Sequence, residues 1–336
     1  MLRFIVRRLL QTVLSLFALS ILLFGWLRSL PGGPVSALLG ERGTPESRAA
    51  LEKQLGLDQP IWVQYWSFLK RALQGDFGVS NGVRPGTPAM DVFLTRLPAT
   101  IELSVIAMII AIALAIPLGY LAARRRGGLF DTTSIIGSLV GVAVPVFFLA
   151  AVLKYLFAQQ WGLLPPTGRQ TVGIDATRIT GFFVLDGILT QEWDASLDAL
   201  KHLILPSIAL ATIPFAVIFR ITRASVLEVL DEDYVRTARA KGLTRRIIRG
   251  RHIMRNALIP VVTIIGLQIG ALLAGAVLTE TVFAFQGIGQ ALAIGFQKKD
   301  YPVLQVLIMM AALIYIVVNL LVDIAYAVID PRVRTR

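Results

Sequence analysis

Long apolar runs, separated by shorter polar and basic stretches, dominate this 336-residue chain. A helix needs about 20 apolar residues to cross the hydrocarbon core of a bilayer. The pattern predicts six such helices, at residues 9–27, 99–122, 134–157, 203–219, 258–283 and 303–329. The fourth is the shortest and contains Pro206 and Pro214. We still interpret it as a span, because without it the charge pattern between the runs would lose its alternation.

Two of the segments between these runs are long. In residues 31–97, large apolar residues recur at helical spacing on both sides of a break at Gln59-Pro60. They are Leu51, Leu55, Trp62, Tyr65, Trp66, Leu69 and Leu73. The aromatic residues favour a second helix that lies at headgroup level or packs on the bundle. Residues 159–202, with Pro165, Pro166, Gly168 and five acids, are too polar to span.

Composition places the chain in a membrane. It is 55% hydrophobic and only 16% charged, with a mean hydropathy of +0.70, whereas soluble domains carry roughly 25% charged residues. The absence of cysteine excludes disulfides, thiolate metal sites and cysteine nucleophiles. His202 and His252 are far apart in the sequence, and no carboxylates recur at the spacing of metal ligands. We therefore do not expect a histidine-based metal site.

The net charge of +12 is distributed in a way that predicts orientation. Short loops rich in Lys and Arg stay in the cytoplasm. With the N-terminus inside, every short basic cluster falls on that side: Arg3, Arg7, Arg8, Arg124, Arg125, Arg126, Arg220, Arg223, the bases of residues 231–260, Arg332, Arg334 and Arg336. We expect the first run to be an uncleaved helix, because it is long and lacks a small-x-small cleavage site. The fold class predicted is an all-α membrane protein with six transmembrane helices, N-in and C-in, and an extracytoplasmic insertion between the first two.

The densest charge lies in "DEDYVRTARAKGLTRRIIRGRHIMRNALIP", from Asp231 to Pro260. An apolar stripe at Leu227, Leu230, Tyr234 and Ala238, acids at the start, bases at the end and Gly242 predict a short helix over about 234–241. Thr244 is placed to cap a second helix over 245–257. Pro260 is then expected to lie in the first turn of the fifth span.

Three interpretations of this loop stay open on the residues alone. A short capped helix can dock in the groove of another protein. The loop can instead be a solvated segment that only sets topology, or it can bind anionic lipid headgroups. Nucleic acid is not an expected partner, because nothing in the chain resembles a DNA- or RNA-binding fold.

The same loop resembles a known family. "DYVRTARAKGL" and "RHIMRNALIPVVT" are similar to the cytoplasmic loop of dipeptide/oligopeptide-type ABC transporter permeases, the inner membrane components of binding-protein-dependent transport systems. The likeness is greatest to the first permease subunit of dipeptide importers. It extends along the chain through "MLRFIVRRLL", "LPGGPV", "LGLDQPIWVQYWSFL", "GDFGVS", "RLPATIELS", "LTETVFAFQGIGQAL", "DYPVLQ" and "NLLVDIAYAVIDPRVR".

The resemblance implies a type I ABC importer permease fold and an ATPase-coupling helix. That helix would comprise Asp233, Tyr234, Arg236, Thr237, Ala238, Arg239, Ala240, Lys241 and Gly242. The superfamily's Glu-Ala-Ala reads Arg236-Thr237-Ala238 here, so the docking role carries over but a particular salt bridge does not. The implied organisation is a tail and first helix (1–30), the insertion (31–97), a five-helix core with the coupling loop 224–257 (98–329) and a cytoplasmic tail (330–336).

The resemblance also implies partners in the cell membrane. These are a second homologous permease, two ATPase subunits (different chains or one chain twice) and an extracytoplasmic substrate-binding protein. The chain has no G-x-x-x-x-G-K-[ST] motif, so we expect no enzyme activity and no cofactor here, with ATP and Mg²⁺ in the ATPase subunits. The implied cargo is dipeptides or short oligopeptides; nickel chelates, glutathione or haem are alternatives with the same architecture.

Several residues inside the spans are candidates for other roles. Gly266, Gly270 and Ala274 are spaced for close helix packing or pore lining. Gln268, Asn319 and Asp323 are pathway candidates, with interhelical hydrogen bonding as the alternative for the last two. We expect Glu280 and Lys154 to lie near the outer surface, solvated, and "DFG" at 76–78 to be a turn. Rival functions are a secondary transporter, although we see no inverted repeat or proton-relay carboxylate, and a scaffold with a lipid-binding loop.

Overall fold

A computed structural model of the protein describes residues 2–29, 35, 44–54 and 56–329. The helices there are α1 (Leu2–Ser29), α2 (Pro45–Gln54), α3 (Ile61–Leu73), α4 (Ala89–Arg124), α5 (Leu129–Ala143), α6 (Val146–Leu153), α7 (Phe183–Leu189), α8 (Trp193–Leu230), α9 (Asp233–Ala240), α10 (Arg245–Ile247), α11 (Arg255–Val282), α12 (Ile288–Gln297) and α13 (Tyr301–Ile329). A π-helical segment, Lys154–Gln160, continues α6, and another, Ile248–Met254, joins α10 to α11. Leu55 and the tail 330–336, with its three arginines, lie outside the described residues.

Five helices in this part of the chain are long and apolar enough to cross a membrane, and a bent pair makes up to six. The five segments are Arg7–Ser29, Ala89–Arg124, Trp193–Leu230, Arg245–Leu272 and Tyr301–Val322. The all-α prediction is therefore confirmed for the described residues. The count of six is reached only if the bent pair is one span.

The third predicted span is not a single helix. Helix α5 and the segment Val146–Gln160 meet at an angle of 102°. Val144, with φ −78° and ψ 123°, is extended, because the ring of Pro145 disfavours the helical conformation in the residue before it. The prediction of a continuous helix over 134–157 was wrong because it ignored this proline.

Prolines elsewhere do not end the helices. Pro206 and Pro214 lie inside the 38-residue α8, and both are buried. Helix α11 contains Pro260 in its interior, and the helical path already begins at Arg245. The expectation that Pro260 lies in the first turn of the fifth span was therefore wrong. Packing against neighbouring helices satisfies the backbone groups that proline leaves free in a membrane helix.

Helices α4 and α8 form the most extensive helix pair of the core. Their contact is close because it is made by small residues: a Cβ on Gly119 would lie 2.9 Å from the Cβ of Thr222. At one end of the bundle, Tyr120 of α4 and Val226 of α8 share a cluster with Ile253 and Ala257; we call this the basic end. At the other, the loop end, α4 and α8 begin and α11 finishes.

Helix α1 packs at the loop end through Leu23 and Leu27, which contact Tyr301 and Leu304 of α13. Helix α3 lies on α1, where the hydroxyls of Tyr65 and Ser20 are 2.8 Å apart. The helix predicted from the aromatic spacing is thus present, and Trp62 and Trp66 are exposed on it.

Candidate functional site: the short helix at the basic end

Helix α9 is held against the bundle by one narrow apolar edge. Val235 is 0% exposed and Ala238 is 4% exposed, in the cluster with Tyr120, Val226 and Ile253. Tyr234, which the sequence pattern placed on the buried stripe, is 40% exposed. That prediction was wrong because α8 ends at Leu230 and a turn resets the helical phase before α9 begins.

The C-terminal end of α9 is fixed by a Schellman motif. The N–H of Gly242 donates to the Arg239 carbonyl at 3.0 Å, and the N–H of Leu243 donates to the Ala238 carbonyl at 3.3 Å. Gly242 has φ +72°, and a Cβ added there would meet no atom within 4 Å, so it is the backbone conformation, not lack of space, that favours glycine at this position. Thr244 precedes α10, but its side chain makes no capping hydrogen bond in the described structure.

The remaining surface of α9 is polar and exposed. The amide of Asn256 donates to the Tyr234 hydroxyl at 2.9 Å, and Thr237 Oγ1 donates to the Asp233 carbonyl at 2.9 Å. Arg236 pairs with Asp233 at 3.4 Å, with both side chains largely exposed. The helix therefore presents a charged face, and its backbone is fixed by the C-terminal Schellman motif and the buried edge.

An ion pair that sequence reasoning missed supports this end of the bundle. Arg223 of α8 contacts Asp131 of α5 through two hydrogen bonds, of 2.5 and 2.8 Å. Asp131 also accepts from the Gly127 N–H at 2.9 Å and is buried. The residues are 92 positions apart, so no local pattern indicated the pair.

Gly266 and Gly270 of α11 face the last helix of the same chain. A Cβ on Gly266 would lie 2.3 Å from Val322 Cγ1, and a Cβ on Gly270 would lie 2.9 Å from Tyr315 Cε2 and 3.3 Å from Asn319 Oδ1. These positions therefore allow α11 and α13 to approach closely. Gln268 is half-buried. Asn319 Oδ1 is buried with no hydrogen-bond partner in the described structure; the side chains of Ala274 and Asp323 lie outside the described part.

Glu280 is not solvated, contrary to the sequence expectation; it is 0% exposed. Its carboxylate accepts hydrogen bonds from the Thr100 hydroxyl at 2.6 Å and the Gln290 N–H at 2.9 Å. Lys154 is half-buried, and its ammonium donates to the Val282 carbonyl at 2.8 Å. The expectation of solvation was wrong for Glu280, because Thr100 and the first turn of α12 bury its carboxylate, whereas Lys154 keeps part of its surface exposed.

Two more buried carboxylates at the loop end were missed. Glu102 binds Arg169 at 2.9 Å and accepts from the Val184 N–H at 2.9 Å. Asp300 accepts from the Ser80 hydroxyl at 2.6 Å and from the N–H groups of Gly82 and Val83 at 2.8 and 2.9 Å. Each fixes a connecting segment to the helices. The only sequence signal was an acid at the edge of an apolar run.

The chain matches two family models. One, described as "Binding-protein-dependent transport system inner membrane component", covers residues 115–335, which include α9. The chain belongs to this family. The second, "Binding-prot-dependent transport system membrane comp, N-term", covers residues 1–104 of the permease.

The permease is also similar to characterised relatives along nearly its whole length. It is 46% identical over 338 residues to the dipeptide transport system permease protein DppB of Escherichia coli K12, covering 99% of both chains. It is 43% identical over 334 residues to DppB of Alkalihalophilus pseudofirmus, covering 99% and 100%. Against the di/tripeptide transport system permease protein DppB of Pseudomonas aeruginosa the identity is 45% over 335 residues, covering 99% of both. The family resemblance predicted from the motifs is confirmed, and the permease is a multi-pass inner membrane protein.

Proposed function

We propose that this permease moves dipeptides or short oligopeptides into the cytoplasm as one subunit of an ATP-driven importer. Relatives that match it along nearly their whole length are dipeptide or di/tripeptide permeases, which supports this cargo. The chain itself has no phosphate-binding loop for ATP. Its catalytic partners are therefore two ATPase subunits that bind ATP and Mg²⁺, together with a second homologous permease and an extracytoplasmic substrate-binding protein.

The basic end is the cytoplasmic end in this proposal, with the N- and C-termini inside. Arg124 ends α4, and Arg125 and Arg126 follow it, at the end where α9 and the bases of 231–260 also lie. Their accumulation at one end of the bundle supports this orientation, because Lys and Arg in short loops are retained on the cytoplasmic side.

The observation that carries the proposal is the construction of α9. Its buried edge, Val235 and Ala238, ties it to α4, α8 and α11, while its charged face is open to a partner. A helix attached in this way transmits force as a rigid element, and ATPase closure would move the bundle through it. Gln268, Gly266, Gly270, Asn319 and Asp323 are proposed to shape the pathway or its helix packing.

Reconstitution in proteoliposomes tests this function. The permease, its homologous partner, the ATPase subunits and the binding protein should together take up labelled dipeptide only with ATP. Gly242→Val should abolish coupled uptake, because φ +72° is unfavourable for a branched residue. Gly242→Asn is the matched control and should retain uptake, since asparagine tolerates this region.

Uptake that continues without any ATPase subunit would overturn the proposal and favour a secondary transporter. Parallel assays with nickel chelate, glutathione and haem distinguish peptide import from the alternative cargoes. If one of these compounds were taken up in preference to dipeptides, the proposal of an ATP-driven importer would stand, but its substrate would be that compound.

A further inference from the structure

A strongly basic cavity of about 620 Å³ opens at the basic end between α4, α9 and the helical segment 245–254 that precedes α11. Arginines from three separate segments line it: Arg124, Arg239, Arg245, Arg246 and Arg249. No acidic residue lines it among the residues that the structure describes. Such a concentration of guanidinium groups creates a positive potential suited to a phosphate or carboxylate.

Within the described residues, no carboxylate neutralises these arginines. Arg223 pairs with Asp131, Arg236 with Asp233 and Arg169 with Glu102. In contrast, none of the five cavity arginines forms an ion pair with a carboxylate in the described part of the chain. The cavity therefore has charge available for an anion from outside the protein.

A second cavity, of about 360 Å³, adjoins the basic one and shares three residues with it, Tyr120, Arg124 and Arg249. Its other lining residues are apolar: Ile116, Pro117, Leu121 and Met254. Ile116, Pro117 and Leu121 belong to the last turns of α4, inside one of the candidate membrane spans. The combined site is thus basic at one end and apolar along the membrane helix.

We propose that these two cavities form a binding site for an anionic phospholipid. The headgroup phosphate binds among the arginines, and the start of an acyl chain lies along Ile116, Pro117 and Leu121. Basic pockets beside transmembrane helices bind anionic headgroups in this manner. Free phosphate would use only the basic cavity, so the apolar extension favours a lipid.

The site gives a role to the arginines after Gly242 that ATPase docking does not require. Arg239 is at the C-terminal end of α9, whereas Arg124 ends α4 and Arg249 precedes α11. A bound lipid phosphate contacts all three segments and ties α9 to the bundle. The proposal requires only that the protein lies in a membrane and does not depend on the transported substrate.

Native mass spectrometry of the full-length protein tests the site. Phosphatidylglycerol should bind more tightly than phosphatidylcholine with the same acyl chains. Arg124→Gln and Arg249→Gln should each weaken phosphatidylglycerol binding by about fivefold, the contribution of one basic residue near an anionic surface. Arg251→Gln is the matched control, because Arg251 is two positions from Arg249 but lines neither cavity; its binding should equal that of the wild type.

The wild-type protein provides a second test that does not depend on variant folding. Short-chain phosphatidylglycerol should compete with the bound lipid, whereas inorganic phosphate and glycerol phosphate should not. Competition by inorganic phosphate at equal concentration, or equal binding of the two lipids, would overturn the lipid assignment. Displacement of the lipid when ATPase subunits bind would contradict it as well, because the cavity would then belong to the protein interface.

Discussion

The hydroxyl of Thr100 donates a 2.6 Å hydrogen bond to the carboxylate of Glu280, across 180 positions of sequence. The same hydroxyl accepts from the Ile288 N–H at 2.8 Å, and the carboxylate accepts from the Gln290 N–H at 2.9 Å. Both N–H groups belong to the first turn of α12, where the helix dipole favours negative charge. Glu280 therefore joins α4, α11 and α12 at the loop end.

Replacing Glu280 by alanine should destabilise the permease by about 2–4 kcal/mol, because the Thr100 hydroxyl and the Gln290 N–H lose their buried acceptor. Thermal unfolding of the purified protein measures the loss as a lower midpoint. Glu52→Gln on the exposed surface of α2 is the control and should leave the midpoint unchanged. An equal midpoint for Glu280→Ala and the wild type would contradict this role.

Gly287→Ala should destabilise the same turn. A Cβ on Gly287 would lie 2.4 Å from the Glu280 carboxyl atoms, so the carboxylate would have to leave its donors. We expect a loss of about 1–3 kcal/mol, typical of overpacking. Gly141→Ala, where no atom lies within 4 Å of the new Cβ, should be neutral or slightly stabilising. Similar unfolding midpoints for the two variants would show that Gly287 is not sterically restricted.

Asp300→Ala should release residues 80–83, because one carboxylate oxygen of Asp300 accepts from Ser80, Gly82 and Val83. Amide hydrogen exchange at Gly82 and Val83 should accelerate by roughly tenfold or more, given a loss of about 1–3 kcal/mol for buried donors left unpaired. Amides in α8 should exchange as in the wild type. Unchanged exchange at Gly82 and Val83 would mean that other contacts hold this segment.

The segment before α7 should loosen at acid pH. Burial alone would raise the pKa of Asp186, but hydrogen bonds from Thr180 and from the Gly181 N–H outweigh it and hold the pKa below its ordinary value. The stabilisation is therefore present above the unfolded pKa of about 3.9 and is lost as the pH falls through the lower folded pKa. Exchange at Gly181, corrected for intrinsic rates, should rise in that window. In the Asp186→Asn variant, the Gly181 amide should exchange rapidly at all pH values. Slow, pH-independent exchange of this amide in the variant would show that the carboxylate is not the cause.

Local signals explain which features the sequence could predict. The acids, bases and Gly242 around α9 act within one or two turns, and the helix lies at Asp233–Ala240, close to the predicted 234–241. Which residues of α9 face the bundle depends on the turn after Leu230, which the sequence pattern did not show. Tyr234 was therefore predicted on the apolar stripe, whereas Val235 is the buried residue. Pro145 was also a local signal, but its effect was missed within a long apolar run.

The buried polar contacts could not be read from local pattern. Glu102 and Asp300 look like acids at the margins of apolar runs, and only the folded chain brings Arg169 and Ser80 to them. Hydrophobic periodicity predicts which residues lie in the membrane, but it holds no information about partners 67 or 220 positions away. The basic cavity likewise depends on three segments meeting at one end of the bundle.

A single-cysteine cross-link tests most directly whether α9 is the contact with the ATPase subunits. The chain has no cysteine of its own, so Ala240→Cys on exposed α9 and Val172→Cys, 100% exposed in the segment between α6 and α7, provide a matched pair. In the assembled transporter, a thiol-linked photo-cross-linker should join position 240, but not position 172, to an ATPase subunit. Adding Gly242→Val should remove that product. The absence of a product from position 240 in a complex that retains its ATPase subunits, or equal products from both positions, would contradict the account.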